Sequence, residues 1–136
     1  MIGYLIDTNI ASYFLKRRSL TLHERMKAAM AARTVAISAI TRAELRYGLA
    51  LMQADDARIM LIERFLQETP TLEWTAVAAD HYGRLAAQQK QTGTPIGILD
   101  TQIAAHALAE NLPLVTHNTR HFERIPGLRL ENWMLE

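Results

Sequence analysis

Short apolar runs alternate along the chain with longer stretches in which apolar residues recur every third or fourth position. The run Ile2–Ile6 is too short for a helix and reads as a buried strand. It stops at Asp7-Thr8-Asn9, three residues that favour a helix N-cap, and Ile10, Tyr13 and Phe14 follow at helical spacing. A second helix is predicted over about 22–32, a stretch rich in Ala, Met and Lys. Val35–Ser38 is the second predicted strand, and Thr41 with Glu44 forms a capping box for a helix through about Met52. Asp55 and Asp56 begin the next helix, which reaches about Glu68 and is stopped by Pro70. Leu72–Trp74 is a short strand candidate, and Thr75 opens a helix through about Gln91 that Gly93 and Pro95 close. After a Gly- and Pro-containing loop over 92–98, a helix is predicted from about Leu99 to Glu110, ended by Asn111 and Pro113. Leu114–Thr116 reads as the fourth strand, Asn118 as the start of a short helical turn, and Leu128–Leu130 as a weak fifth strand.

Strands alternating with helices predict the α/β class, with a central, mostly parallel sheet of four to five strands flanked by helices. The length, 136 residues, suits one domain over 1–136. The chain has no cysteine, which excludes a disulfide scaffold, a thiol nucleophile, a thiolate zinc site and an iron–sulfur cluster. No apolar run approaches the ~18 residues of a membrane helix. Met1–Leu5 lacks a basic start and meets Asp7 almost at once, so it does not read as a signal peptide, and the expected location is the cytoplasm. The net charge of +1 gives no support for a nucleic-acid partner, but the charge is uneven. Between residues 16 and 33, Lys16, Arg17, Arg18, Arg25, Lys27 and Arg33 face only Glu24.

In open parallel sheets, ligands bind beyond the carboxyl ends of the strands. Those ends carry Asp7 after the first strand, Glu44 in the helix after the second, Asp100 opening the helix after the Gly/Pro loop, and Asn118 after the fourth strand. Carboxylates crowded on one rim repel and favour protonation unless a cation neutralises them. Oxygen donors suit Mg²⁺ or Mn²⁺, and such an ion is the usual agent of phosphodiester hydrolysis. Each residue also has a purely structural reading: Asp7 and Asp100 as helix caps, Glu44 as half of the capping box, Asn118 as a turn residue. Their shared location on one rim is what favours a site.

Other chemistries fit less well. An aspartyl nucleophile of the dehalogenase type wants Asp-x-Asp after the first strand, where this chain has Asn9, and no phosphate-binding P-loop is present. A receiver domain lacks its acidic pair, its phosphoacceptor and its Lys. His117 and His121 stand four residues apart, a metal-ligand spacing, but no third ligand accompanies them. His106, among small helical residues, reads as packing, as do Met26, Met30, Met52, Met60, Tyr13, Phe14 and Tyr47. A binding module without catalysis is the alternative of another class, and the retained acids argue against it.

Four segments carry a resemblance: Tyr4–Asn9, Ile37–Leu45, Pro95–Ala107 and Leu114–Asn118. Together they resemble the ordered motifs of PIN-domain ribonucleases, and the chain from about residue 2 to 133 is similar to the VapC toxins of type II toxin–antitoxin pairs. The Thr116-x-Asn118 segment ending at Phe122 and the closing Glu131-Asn132-Trp133 belong to the same pattern. The resemblance implies a PIN-like fold and a Mg²⁺-dependent (or Mn²⁺-dependent) endoribonuclease. It assigns Asp7 and Asp100 as metal ligands and Glu44 as a third acid. Asn118 stands where many members carry a fourth acid, and Thr8, Ser38 and Thr116 are implied to support the acids by hydrogen bonds. It implies structured RNA as substrate, chiefly a tRNA anticodon stem-loop with initiator tRNA foremost, and ribosomal RNA or another tRNA as the alternative. It also implies a VapB antitoxin and a homodimer. Leu15, Leu20, Leu22, Met26 and Met30 are the expected groove for the antitoxin, with an Arg from that partner expected in the acidic pocket.

Overall fold

The computed structural model describes residues 1–135. The strands β1 (Tyr4–Ile6), β2 (Val35–Ser38), β3 (Thr71–Leu72), β4 (Leu114–Val115) and β5 (Leu130–Glu131) form one sheet. Their order is β3-β2-β1-β4-β5 and every pairing is parallel, with Leu5 opposite both Ala36 and Leu114. The helices are α1 (Thr8–Leu15), α2 (Leu20–Ala31), α3 (Ala39–Leu51), α4 (Arg58–Glu68), α5 (Ala76–Thr92), α6 (Ile98–Glu110) and the short α7 (Thr119–Phe122). No helix among the described residues is long and apolar enough to cross a membrane.

Successive strand residues point to opposite faces, and here each face meets helices, which is why the strands read as unbroken apolar runs. Ile6, Val35, Ile37 and Val115 pack with Ile10 of α1, Leu22 and Met26 of α2 and Phe65 of α4. Leu5 and Leu114 face the other way, onto Leu85 of α5, Ile103 and Ala107 of α6, and Phe122. The chain therefore builds β1 to β3 outward under one helical layer. It then crosses beneath the α5–α6 pair to place β4 on the far side of β1.

The differences from the sequence-based elements have local causes. Helix α2 starts at Leu20 because Ser19 caps it, its hydroxyl accepting from the Leu22 N–H at 3.1 Å. β3 stops at Leu72 because Trp74 leaves the sheet to meet the His106 ring edge-on, 5.5 Å between centroids. β5 begins two residues late because Gly127, at φ 80°, turns the chain before Leu128. Gly93, in the left-handed region at φ 68°, ends α5 as expected.

Candidate functional site

The sheet order reverses at β1, since β2 lies on one side and β4 on the other. The crevice beyond the carboxyl ends of β1 and β4 is thus the topological switch point. Asp7 is the first residue past β1. Its backbone N–H donates to the Val115 carbonyl at 3.1 Å, and its Oδ1 accepts the Ile10 N–H at 2.7 Å as the cap of α1. The side chain is 4% exposed. Burial pushes its carboxyl up from 3.8 to about 6; the Thr116 hydroxyl and the Ile10 N–H oppose the rise, while the negative charges of Asp100 and Glu44 add to it. Burial dominates this rise, and carboxylate repulsion is the smallest part of it.

Glu44 arrives from β2 by way of α3, in a different manner from the expected capping box. Ser38 caps α3, its hydroxyl accepting the Ile40 N–H at 3.0 Å, so Thr41 and Glu44 stand inside the helix. The same three-residue spacing that suggests a box puts both side chains on one helical face, turned toward α1. Thr8 donates its hydroxyl to Glu44 Oε1 at 2.8 Å. Thr8 Oγ1 is also 2.9 Å from the buried Thr41 hydroxyl. A carboxylate only accepts, so the single Thr8 proton goes to Glu44 and Thr41 donates to Thr8. Thr41 is thus a member of the site that the sequence reading missed. Ser38 faces elsewhere: its hydroxyl lies 2.7 Å from Nδ1 of His106. His106 is buried against Trp74, as its packing role requires, and burial lowers its pKa.

Asp100 sits in the first turn of α6 without capping it. The cap position belongs to Gly97, at φ 98° and ψ 155°, a combination open essentially to glycine alone. Asp100 is half-buried, and burial raises its pKa while the His121 ring offsets part of the rise. Nδ1 of His121 lies 3.4 Å from Asp100 Oδ2. Asn118, exposed just past β4, donates its backbone N–H to the Thr116 hydroxyl at 3.1 Å and sets Nδ2 3.0 Å from Nδ1 of His121. His121, weighed in the sequence only as a pair with His117 and set aside for want of a third ligand, stands instead with Asn118 and Asp100; its place three residues after Asn118, on one face of a helical turn, was the signal for that company. His117 does not join it, but turns its Nδ1 to Asn132 at 3.3 Å and its ring to Tyr13.

Asp7 thus feels the charges of Asp100 and Glu44 across the crevice, but the described residues include no three His, Asp or Glu side chains already drawn into a single ligand shell. The donor set suits a hard divalent cation that keeps several waters and takes only one or two carboxylates directly, and a cation there would relieve the burial of Asp7.

One cleft adjoins this centre and another lies at the opposite end of the strands. The latter, of about 770 Å³, is floored by Phe14, Leu15, Met30, Leu61 and Phe65 and rimmed by Arg17, Lys27 and Arg33 and by Arg64, which is paired with Glu68. It opens beside Val35 and Pro70, at the amino ends of β2 and β3, on the opposite edge of the sheet from the acids. Three of the basic residues in 16–33 therefore lie far from the carboxylates. Of the five residues expected to form an apolar groove, Leu15 and Met30 line this cleft. Leu22 and Met26 are fully buried because α2 turns them onto the sheet, and Leu20, 74% exposed, lies outside it. The second cleft, of about 500 Å³, adjoins His121 and Ile96 and carries Gln88, Thr94, Arg120 and Arg124.

The PIN domain family matches residues 4–128. A "Ribonuclease VapC2" from Haemophilus influenzae is 40% identical over 134 residues, covering 98% of this chain and 100% of that protein. A "tRNA(fMet)-specific endonuclease VapC" from Shigella flexneri is 36% identical over 133 residues, with coverages of 98% and 99%. Among solved structures, a chain of the DNA-bound VapBC from Salmonella typhimurium superposes with a TM-score of 0.88 at 35% identity, over 98% of this chain and 99% of that one.

Proposed function

The chain belongs to the PIN-domain family and, within it, to the VapC ribonucleases, and we propose that it is a divalent-metal-dependent endoribonuclease that cuts a tRNA anticodon stem-loop in the cytoplasm. The observation that carries the reading is the buried Asp7 carboxyl at the switch point, raised to about 6, with Asp100 and Glu44 near enough for their charges to add to the rise. Mg²⁺ or Mn²⁺ bound there would polarise the scissile phosphate and lower the pKa of water. Asp7 and Asp100 would hold the ion. Glu44, fixed by Thr8, would act directly or through water, and Asn118 offers an amide in place of a fourth charge. In-line attack at phosphorus leaves 5′-phosphate and 3′-hydroxyl ends.

Initiator tRNA is the leading substrate, because relatives from Shigella flexneri and Salmonella typhimurium at 36% and 35% identity bear that specificity in their names. Arg120 and Arg124 in the second cleft stand on the acidic side of the sheet and supply phosphate contacts for a looped strand. Of the basic residues over 16–33, Arg17, Lys27 and Arg33 line the opposite cleft, and that position gives them another use. An apolar floor within a basic rim suits an amphipathic, acidic segment of a VapB antitoxin. An antitoxin that also places an Arg among the carboxylates must run the length of the sheet. Tyr47, expected in the core but exposed, stands with exposed Leu51 one turn away on α3, and the two support a homodimer.

Asp7→Ala and Asp100→Ala are expected to abolish metal-stimulated cleavage with the fold intact by circular dichroism. Sequencing of RNA ends after brief expression should show one dominant cut in an anticodon loop. A dominant cut in ribosomal RNA overturns the tRNA assignment, and full activity of either variant overturns the mechanism.

A further inference from the structure

His121 stands between the acidic centre and the second cleft. Its ring makes three polar approaches: Nε2 is 2.9 Å from the Ile96 carbonyl oxygen, and Nδ1 is 3.0 Å from Asn118 Nδ2 and 3.4 Å from Asp100 Oδ2. A carbonyl oxygen only accepts, so Nε2 carries the ring proton. Nδ1 is then the acceptor nitrogen of the ring, taking the Asn118 amide at 3.0 Å with Asp100 Oδ2 beside it at 3.4 Å.

A ring N–H donated to a main-chain carbonyl is also the usual arrangement by which metal-ligating histidines are fixed in tautomer and orientation. The 3.4 Å from Nδ1 to Asp100 Oδ2 is close to the ~3 Å between neighbouring donors around a six-coordinate ion with bonds of about 2.1 Å. Asn118 satisfies Nδ1 from the side, but Asn118 is exposed. Surrendering that bond to water costs only about 1 kcal/mol. The adjoining main chain is well braced for the task, since Ile96 precedes Gly97, whose backbone conformation sets the start of α6 and hence Asp100.

We infer that His121 is a direct nitrogen ligand of the divalent cation, sharing it with Asp100, and that this centre therefore holds Mn²⁺ in preference to Mg²⁺. The inference rests on the metal-dependent reading above and extends it. Imidazole adds affinity for first-row transition ions and little for Mg²⁺, whose preferred donors are carboxylate, carbonyl and water oxygens.

The test is Mn²⁺ alone, titrated into the full chain and read by pulsed electron paramagnetic resonance, with histidine in natural abundance or labelled with ¹⁵N. The expected spectrum shows a directly bonded histidine nitrogen whose coupling changes with the label. It persists in His117→Gln and disappears in His121→Gln. By calorimetry, His121→Gln should weaken Mn²⁺ by roughly tenfold or more, the scale on which even supporting hydrogen bonds act, while Mg²⁺ changes much less. Bound Mn²⁺ without histidine coupling in the unmutated chain overturns the assignment and leaves the metal reading standing; a proton shared between His121 and Asp100 would give this result. That outcome does not depend on a variant folding. Coupling that survives in folded His121→Gln also overturns it. Failure of the unmutated chain to bind Mn²⁺ at millimolar concentration overturns both readings.

Discussion

Replacing Asp7 by Asn should make the metal-free protein more stable at neutral pH. The amide preserves the shape of the side chain and an oxygen to cap α1 through the Ile10 N–H, so it removes the charge and little else. The carboxyl is raised from 3.8 to about 6, and at ~1.4 kcal/mol per pH unit the buried charge costs the folded state about 3 kcal/mol. Because the folded-state pKa is the higher one, the folded protein binds the proton more tightly than the unfolded chain. Asp7 is therefore harmless below about pH 4, and its penalty grows as pH rises through about 6. Urea denaturation in EDTA should find Asp7→Asn more stable than the unmutated chain by about 3 kcal/mol at pH 8, equivalent to roughly 10 °C in melting temperature. The difference should nearly vanish at pH 4. Millimolar Mg²⁺ or Mn²⁺ should narrow it again at pH 8, because only the carboxylate form gains from binding the ion. A variant no more stable than its parent at pH 8, or a gain that persists unchanged at pH 4, would refute the burial argument.

Two further outcomes are expected from residues that hold the acids. Thr8→Val removes the hydroxyl that fixes Glu44 and should lower turnover by roughly 10- to 100-fold, with KM for RNA nearly unchanged and Thr8→Ser restoring most of the rate. Gly97→Ala should destabilise the chain by about 1–3 kcal/mol in thermal unfolding through backbone strain alone, since a Cβ there meets no atom within 4 Å. An unchanged melting temperature would show that this backbone conformation is not required.

The sheet was legible because a parallel strand buried on both faces writes an unbroken apolar run, and Val35–Ser38 and Leu114–Val115 have no competing reading. The edges were harder to read. β3 and β5 have two residues each, and their limits depend on where Trp74 and Gly127 take the chain afterwards. Asp7, Glu44, Asp100 and Asn118 could be located on one rim because strand ends are sequence features and the rim is a rule of topology. The supports could not. Thr41 reaches the site only because α3 begins earlier than the supposed capping box, which turns a pattern of local capping into a contact with α1. Ser38 shows the converse: it neighbours the site in sequence and faces His106 in space. The basic stretch over 16–33 was visible as charge, but not that it divides, with Arg17, Lys27 and Arg33 around the cleft at the amino ends of the strands and Arg25 beside Glu131 at the end of β5.

On the proposed metal-dependent reading, the same buried charge would link catalysis to its control. The folded chain carries at Asp7 a carboxylate that is disfavoured by burial and by two neighbouring acids, so any cation that reaches it gains what the apo protein lacks. A divalent ion and a guanidinium from a partner would relieve the same strain, and both cannot occupy it. Their binding is therefore negatively coupled, and the coupling is reciprocal: the ion weakens the partner by the factor by which the partner weakens the ion. A partner anchored in the apolar cleft at the opposite edge of the sheet escapes most of that competition, because the cleft contains none of the acids. Inhibition that uses both ends thus separates two tasks. In that arrangement the cleft would supply affinity that the metal does not oppose, and the guanidinium would supply the switch. If the two-ended arrangement holds, raising the divalent ion concentration should weaken the complex only by the contribution of the acidic end and leave it assembled.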